Sequence, residues 1–166
     1  YKDYEGVALQ AEVSEETADK VVFENITMAG NNYGIIAKKN RLTKLPIIKN
    51  CIIAGNKKGF DFNDEIDTSS ITYSCIYNDS WNGNTYGYGE GCIFTDPLFA
   101  DSENGDFHLM SKAGRWYNSQ WVVDDVSSPC IDAGDENSDY SNEPAPNGGR
   151  VNIGYYGNTA EASKTE

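Results

Sequence analysis

The chain has 166 residues, 39% of them hydrophobic and 23% charged, which allows a single domain with a real core and excludes a disordered or collagen-like polymer. No apolar run reaches the ~18 residues of a membrane span, so membrane insertion is not expected. The net charge of −13 disfavours a nucleic-acid partner, but it is unevenly spread: residues 1–60 hold nine basic against seven acidic side chains, and residues 61–166 hold four against nineteen.

The first predicted element is the short apolar run Tyr4-Glu5-Gly6-Val7-Ala8-Leu9. Next comes a repeat. Val21-Val22-Phe23-Glu24-Asn25-Ile26-Thr27-Met28-Ala29-Gly30-Asn31 aligns with Pro46-Ile47-Ile48-Lys49-Asn50-Cys51-Ile52-Ile53-Ala54-Gly55-Asn56 at an offset of 25, and a further step of 24 reaches Ser70 to Ser80. Each block is followed by a second segment, Tyr33-Gly34-Ile35-Ile36-Ala37 or Lys58-Gly59-Phe60-Asp61-Phe62, which Tyr4 to Leu9 resembles.

Alternating runs of Val, Ile, Phe, Tyr and Thr bounded by Gly, Asn and Asp predict strands of a few residues, with no amphipathic helix between them. A period of ~24 with several short strands predicts a parallel β-helix, in which like residues of successive coils stack at roughly 4.8 Å. On this alignment, Asn25, Asn50 and Ser74 form an interior hydrogen-bonding ladder, and the sequon Asn25-Ile26-Thr27 is structural. Cys51 and Cys75 become equivalent inward positions, buried as free thiols. With Cys92 and Cys130 they show no C-x-x-C spacing, and His108 is the sole histidine, so zinc is not expected.

Seven basic residues fall between Lys38 and Lys58 with no acidic one: Lys38, Lys39, Arg41, Lys44, Lys49, Lys57 and Lys58. They form a basic turn able to hold an acidic polymer. Asp61, Asp64, Glu65 and Asp67 follow, a weak match to the paired carboxylates of hydrolases. Trp81, Tyr86 and Tyr88 then share a Gly-rich loop expected near the surface, where aromatic planes stack on sugar rings.

The C-terminal part carries Thr95-Asp96-Pro97-Leu98-Phe99, Asn104-Gly105-Asp106-Phe107-His108-Leu109, Ser128-Pro129-Cys130-Ile131-Asp132-Ala133-Gly134-Asp135 and Asn147-Gly148-Gly149-Arg150-Val151-Asn152-Ile153-Gly154-Tyr155-Tyr156-Gly157. Together with the repeat, these stretches resemble the C-terminal part of bacterial right-handed parallel β-helix repeat proteins, the pectate-lyase-like superfamily. The resemblance spans residues 20–163. It implies a right-handed stack closed by an irregular C-terminal region, an exported protein of the extracellular space or cell surface, and a polysaccharide partner. In lyases of that superfamily a Lys or Arg removes a proton from a uronate, often with calcium, which makes Lys39 and Arg41 the candidate bases here. The Gly114 to Trp121 stretch resembles a family hairpin, which gives Trp116 and Trp121 a structural role. His108 is expected to face away from Phe107 and Leu109, at the surface or hydrogen-bonded.

Asp135-Glu136-Asn137-Ser138-Asp139 begins like an EF-hand, but Tyr140 and Pro146 stand where Gly and Glu are required. A looser structural calcium site from Asp132, Asp135, Asn137 and Asp139, with Glu143 near by, is the resulting expectation.

The chain therefore reads as all-β, a short right-handed parallel β-helix of about four coils. Residues 1–92 form the coils, 93–163 the closing region and 164–166 a tail. Upstream coils or another chain are expected to cover the N-terminal end. The function expected is non-catalytic polysaccharide recognition through Trp81, Tyr86, Tyr88, Lys38, Lys57 and Lys58. A polyuronate lyase, or the structural end of one, is the alternative.

Overall fold

A computed structural model describes residues 7–11, 18, 20–37, 45–61, 67–80 and 87–166. Among the described residues, nine short strands fill the first half: β1 (Val7–Ala11), β2 (Val22–Glu24), β3 (Thr27–Ala29), β4 (Tyr33–Ala37), β5 (Ile47–Lys49), β6 (Ile52–Ala54), β7 (Lys58–Asp61), β8 (Ile71–Thr72) and β9 (Cys75–Tyr77). They pair only in parallel, as three sheets ordered β1-β4-β7, β2-β5-β8 and β3-β6-β9. The chain visits the three sheets in turn and returns to each, so every strand lies beside its counterpart from the previous repeat. This stacked all-β architecture is compatible with a parallel β-helix.

The register confirms the 25-residue step and corrects the next one. Val22 pairs with Ile47 and Ile35 with Phe60, but Ile48 pairs with Ile71 and Ile52 with Cys75, an offset of 23. Cys51 therefore sits level with Ser74, whose Oγ accepts its N–H at 3.1 Å, and Cys75 lies level with Ile52. Both cysteines are buried free thiols, as expected, yet they are not stacked equivalents.

The same slip displaces the expected ladder. Asn25, Asn50 and, unexpectedly, Tyr73 occupy the corner between the second and third strands of their repeats, with φ of 53°, 53° and 45°. Asn tolerates that left-handed conformation better than other β-carbon-bearing residues, which is why it recurs there. The polar ladder runs instead through Asn31, Asn56 and Asn78. Asn56 Oδ1 accepts the Asn31 N–H at 3.0 Å, and Asn78 Oδ1 accepts both the Asn56 N–H at 3.0 Å and its Nδ2 at 2.8 Å. Asn56 Nδ2 also donates to Met28 O at 2.9 Å, and Asn78 Nδ2 to Ile53 O at 2.8 Å. The preceding Gly30 and Gly55 hold φ of 75° and 64° with open space where a Cβ would stand, so backbone conformation rather than crowding selects glycine.

Ile35, Ile48, Ile53, Phe60, Ile71 and Ile76 fill the interior of the stack, all at 0% exposure. Each such side chain contributes ~1.5–3 kcal/mol by leaving water. β6 is buried on both faces: Ile53 points into that interior, whereas Ile52 and Ala54 join a second core with Cys75, Leu109, Cys130 and Ile153.

The C-terminal half supplies the other side of the second core with little regular structure. Hairpins β10 (Phe99–Asp101) with β11 (Asp106–Leu109), and β12 (Arg115–Tyr117) with β13 (Gln120–Val122), are its only named strands. Beyond them, side chains satisfy the backbone. Ser128 Oγ donates to Pro97 O at 2.6 Å, Ser163 Oγ to Leu109 O at 2.6 Å, and Asn152 Nδ2 to Ser163 O at 2.7 Å. Residues 164–166, expected as a tail, are tied down: Lys164 N donates to Gly114 O at 2.8 Å and Thr165 N to Pro146 O at 3.1 Å.

Candidate functional site

The described part of the basic turn lies at the edge of the β1-β4-β7 sheet. The corner after β6 brings Lys57 and Lys58 into line with the preceding repeat, their N–H groups donating to Asn31 O at 2.9 Å and Asn32 O at 3.0 Å. Backbone pairing fixes the main chain and leaves both side chains exposed. Because Lys58 is the register partner of Tyr33, its Nζ stands 5.4 Å from the centre of that ring. A cation over a phenol beside a second exposed cation presents positive charge next to an aromatic ring. Lys38, Lys39, Arg41, Lys44, Asp64, Glu65, Trp81 and Tyr86 lie outside the described residues.

Tyr88 does not stand free in a surface loop. Its ring lies 6.1 Å from Phe60 and 5.3 Å from Phe94, half-buried against the core of the stack. Burial pushes its hydroxyl well above the ordinary tyrosine range. The cause is local: Gly89 N donates to Ile71 O at 2.9 Å, Glu90 O accepts the Tyr73 N–H at 2.8 Å, and Ile93 bridges to Cys75 in parallel. Residues 89–93 thus follow β8 and β9 as a further layer, and Tyr88 enters where that layer begins. Gly89 permits the approach, since a Cβ there would meet Ser69 O at 2.4 Å.

The acidic residues expected to share a cation instead serve separate turns. Asp135 Oδ1 accepts the Asn137 N–H at 2.9 Å, and its Oδ2 meets Lys49 Nζ at 3.3 Å. The Asn137 N–H first, and Lys49 with it, hold that carboxyl below the ordinary aspartate value. Asp139 accepts the Ser141 N–H at 2.9 Å, which likewise lowers its pKa. Asp132 accepts the Gly148 N–H at 3.1 Å and the Thr165 hydroxyl. Asn137 spends its side-chain amide on Asp135. Among the described residues, no group of three or more His, Cys, Asp or Glu side chains converges as a cation cage.

Charge does converge at the junction of the two halves. Glu24 and Lys49 are register partners, 3.2 Å apart, and Lys49 reaches on to Asp135. Burial works against the Lys49 charge, and the two carboxylates more than offset it, so its pKa lies above the ordinary lysine value. Asn50, fully buried beneath them, accepts the Asp135 N–H at 2.7 Å and donates to Glu24 and to Ser138 Oγ.

His108, expected at the surface or hydrogen-bonded, is the hydrogen-bonded member of a second charged group whose other members went unread in the sequence. His108 is buried: Nδ1 lies 2.6 Å from Asp106 Oδ1, the ring stacks on Tyr156 at 3.6 Å, and Glu161 Oε2 lies 3.6 Å from Nε2. Arg115 joins Asp106 to Asp124. The signal available was the Asp106-x-His108 spacing, which puts both side chains on one face of a strand. Nε2 is sealed from solvent, so the group pins the last residues onto β11 and does not present an imidazole to a substrate.

The family model described as disaggregatase related matches residues 6–134. The match takes in the whole described stack and the C-terminal half as far as Gly134. Neither the curated proteins nor the solved structures contain a match.

Proposed function

We propose, on the premise that the chain belongs to the disaggregatase-related family, that it is a non-catalytic module which holds an acidic polysaccharide against the exposed Lys57 and Lys58 side chains at the start of β7. The observation that carries this reading is the Lys58 ammonium over Tyr33 beside exposed Lys57. Lys38, Lys39, Arg41 and Lys44 follow β4 directly in the chain and extend the basic character, and Trp81 and Tyr86 add aromatic planes in the proposal. The stack is read as a right-handed parallel β-helix of about four coils in the pectate-lyase-like manner, with residues 93–163 as its closing region. The setting proposed is extracellular or at the cell surface. A family described by its relation to a disaggregatase suits a module that works on aggregated material. The carrying test is retention of the full chain on gels containing polygalacturonate or alginate. Wild-type protein is retarded, the retardation is lost at high salt, and Lys57→Ala with Lys58→Ala weakens it. Absence of retention on either polymer overturns the reading, and release of unsaturated, ultraviolet-absorbing products in the presence of calcium replaces it with a lyase based on Lys39 or Arg41.

A further inference from the structure

We propose that Cys75 and Cys130 are the two halves of a disulfide that fastens the C-terminal half to the stack. Cys75 belongs to β9, and Cys130 lies fifty-five residues further on in a segment without regular structure. Both are fully buried, both belong to the second core, and their thiols are hydrogen-bonded to one another.

The backbones at both ends are already fixed. Cys75 N donates to Cys51 O at 2.8 Å and the residue bridges to Ile93. Cys130 N donates to Ser128 Oγ at 3.0 Å, and its carbonyl accepts the Ile153 N–H at 2.9 Å. Ile52, Ala54, Leu109 and Ile153 surround the pair, and the bond replaces a weak thiol contact together with the hydrogen bond that the Cys75 thiol donates to Thr95 O at 3.3 Å. The other two cysteines are differently placed. Cys51 lies in the first core with its thiol donated to Lys49 O at 3.2 Å, and half-buried Cys92 donates to Ile71 O at 3.3 Å.

Burial assigns the chemistry to folding. The hydrogen bond to Cys130, and desolvation after it, raise the Cys75 pKa far above that of a free thiol, so the docked pair lacks the thiolate that starts exchange. Before docking, one cysteine thiolate attacks the sulfur of an oxidising disulfide, such as oxidised glutathione, and expels one thiolate. The second cysteine thiolate then attacks the mixed disulfide and expels the other. Each cysteine gives up one proton, the new S–S bond forms, and the oxidant leaves as two thiols. Once docked, the bond is shielded from reductants.

The test is peptide mass mapping of the full chain, unfolded and refolded in a glutathione redox buffer and then alkylated in denaturant. The expected result is a linked Cys75–Cys130 peptide lighter by two hydrogens, with Cys51 and Cys92 alkylated. The unfolding midpoint in guanidinium should be higher for this species than for the reduced one. Cys51→Ala should retain the link and Cys130→Ala abolish it. Alkylation of both Cys75 and Cys130 in wild-type protein that has regained its strand circular dichroism overturns the proposal, as does a link that uses Cys51 or Cys92.

Discussion

The two halves of this chain solve the same problem by different means. In the stack, buried peptide groups bond to the neighbouring repeat, so a two- or three-residue strand is enough, and the interior is left to Ile and Phe. In the C-terminal half, strands are few and the peptide groups are satisfied by Asp, Glu, Asn and Ser side chains: Glu143 Oε1 alone accepts the N–H groups of Asn152 and Asn158, at 2.8 and 2.9 Å. The lesson is that scarcity of regular structure is not looseness, because every buried peptide group needs a partner and a side chain can be that partner. The two solutions fail differently when altered.

The largest effect should come from the interior of the stack. Phe60→Ala is expected to cost about 3–5 kcal/mol, since a fully buried ring is lost where flanking repeats cannot close the gap. Guanidinium unfolding followed by circular dichroism measures it, and a loss under 1 kcal/mol would mean that the stack is not the common core. Asn56→Ala should follow at about 2–3 kcal/mol, because it strands the Asn31 N–H and the Met28 carbonyl inside the stack. Asn56→Asp should be no better, since a carboxylate cannot donate to Met28 O.

The C-terminal half should respond to pH where the stack does not. Burial first, and the charge of Asp132 after it, raise the Glu143 pKa above 4.5. Its contribution to stability is therefore greatest below pH 4.5 and declines as pH rises through the folded value. Asp135 and Asp139 behave oppositely: lowered below 3.8, they stabilise above that pH and lose their effect as pH falls beneath it. Glu143→Gln keeps an acceptor for the two N–H groups and should flatten the decline above pH 4.5, with a stability change of about 1 kcal/mol. An unaltered pH profile in that variant would assign the decline elsewhere. The smallest effect belongs to the junction, where Lys49→Met should cost under ~1 kcal/mol, as for a partly exposed ion pair, and should remove part of the salt sensitivity of unfolding.

Reading the sequence identified the repeat, the parallel pairing and the first register, because Val22, Ile35 and Ile47 lie in runs whose alternation is set by the strand itself. It misplaced the ladder, because the second step was taken as 24 where the strands pair at 23. Ile36 and Ile48 are twelve residues apart while their register partners Asp61 and Ile71 are ten apart, and spacing alone does not say where a loop shortens. Asn31, Asn56 and Asn78 were all visible, but so were Asn25 and Asn50, and only the register decides which asparagines stack. Tyr88 was misread because glycine on both sides resembles an open loop; here it lets the backbone lie against β8. The Lys49, Glu24 and Asp135 group was illegible for another reason, since it joins residues 86 apart across a segment with no periodicity.

The uneven spacing has a consequence of its own. From repeat to repeat the partner offsets run 26, 25 and 23, yet each wall keeps its pairing. The walls keep count, and the connections between them are at liberty to lengthen, shorten or change composition without disturbing that count. The basic run from Lys38 to Lys44 and the acidic run from Asp64 to Asp67 both fall in such connections, between β4 and β5 and between β7 and β8. New chemistry can thus be written into this protein where the fold is indifferent to it, and erased again without loss of the frame.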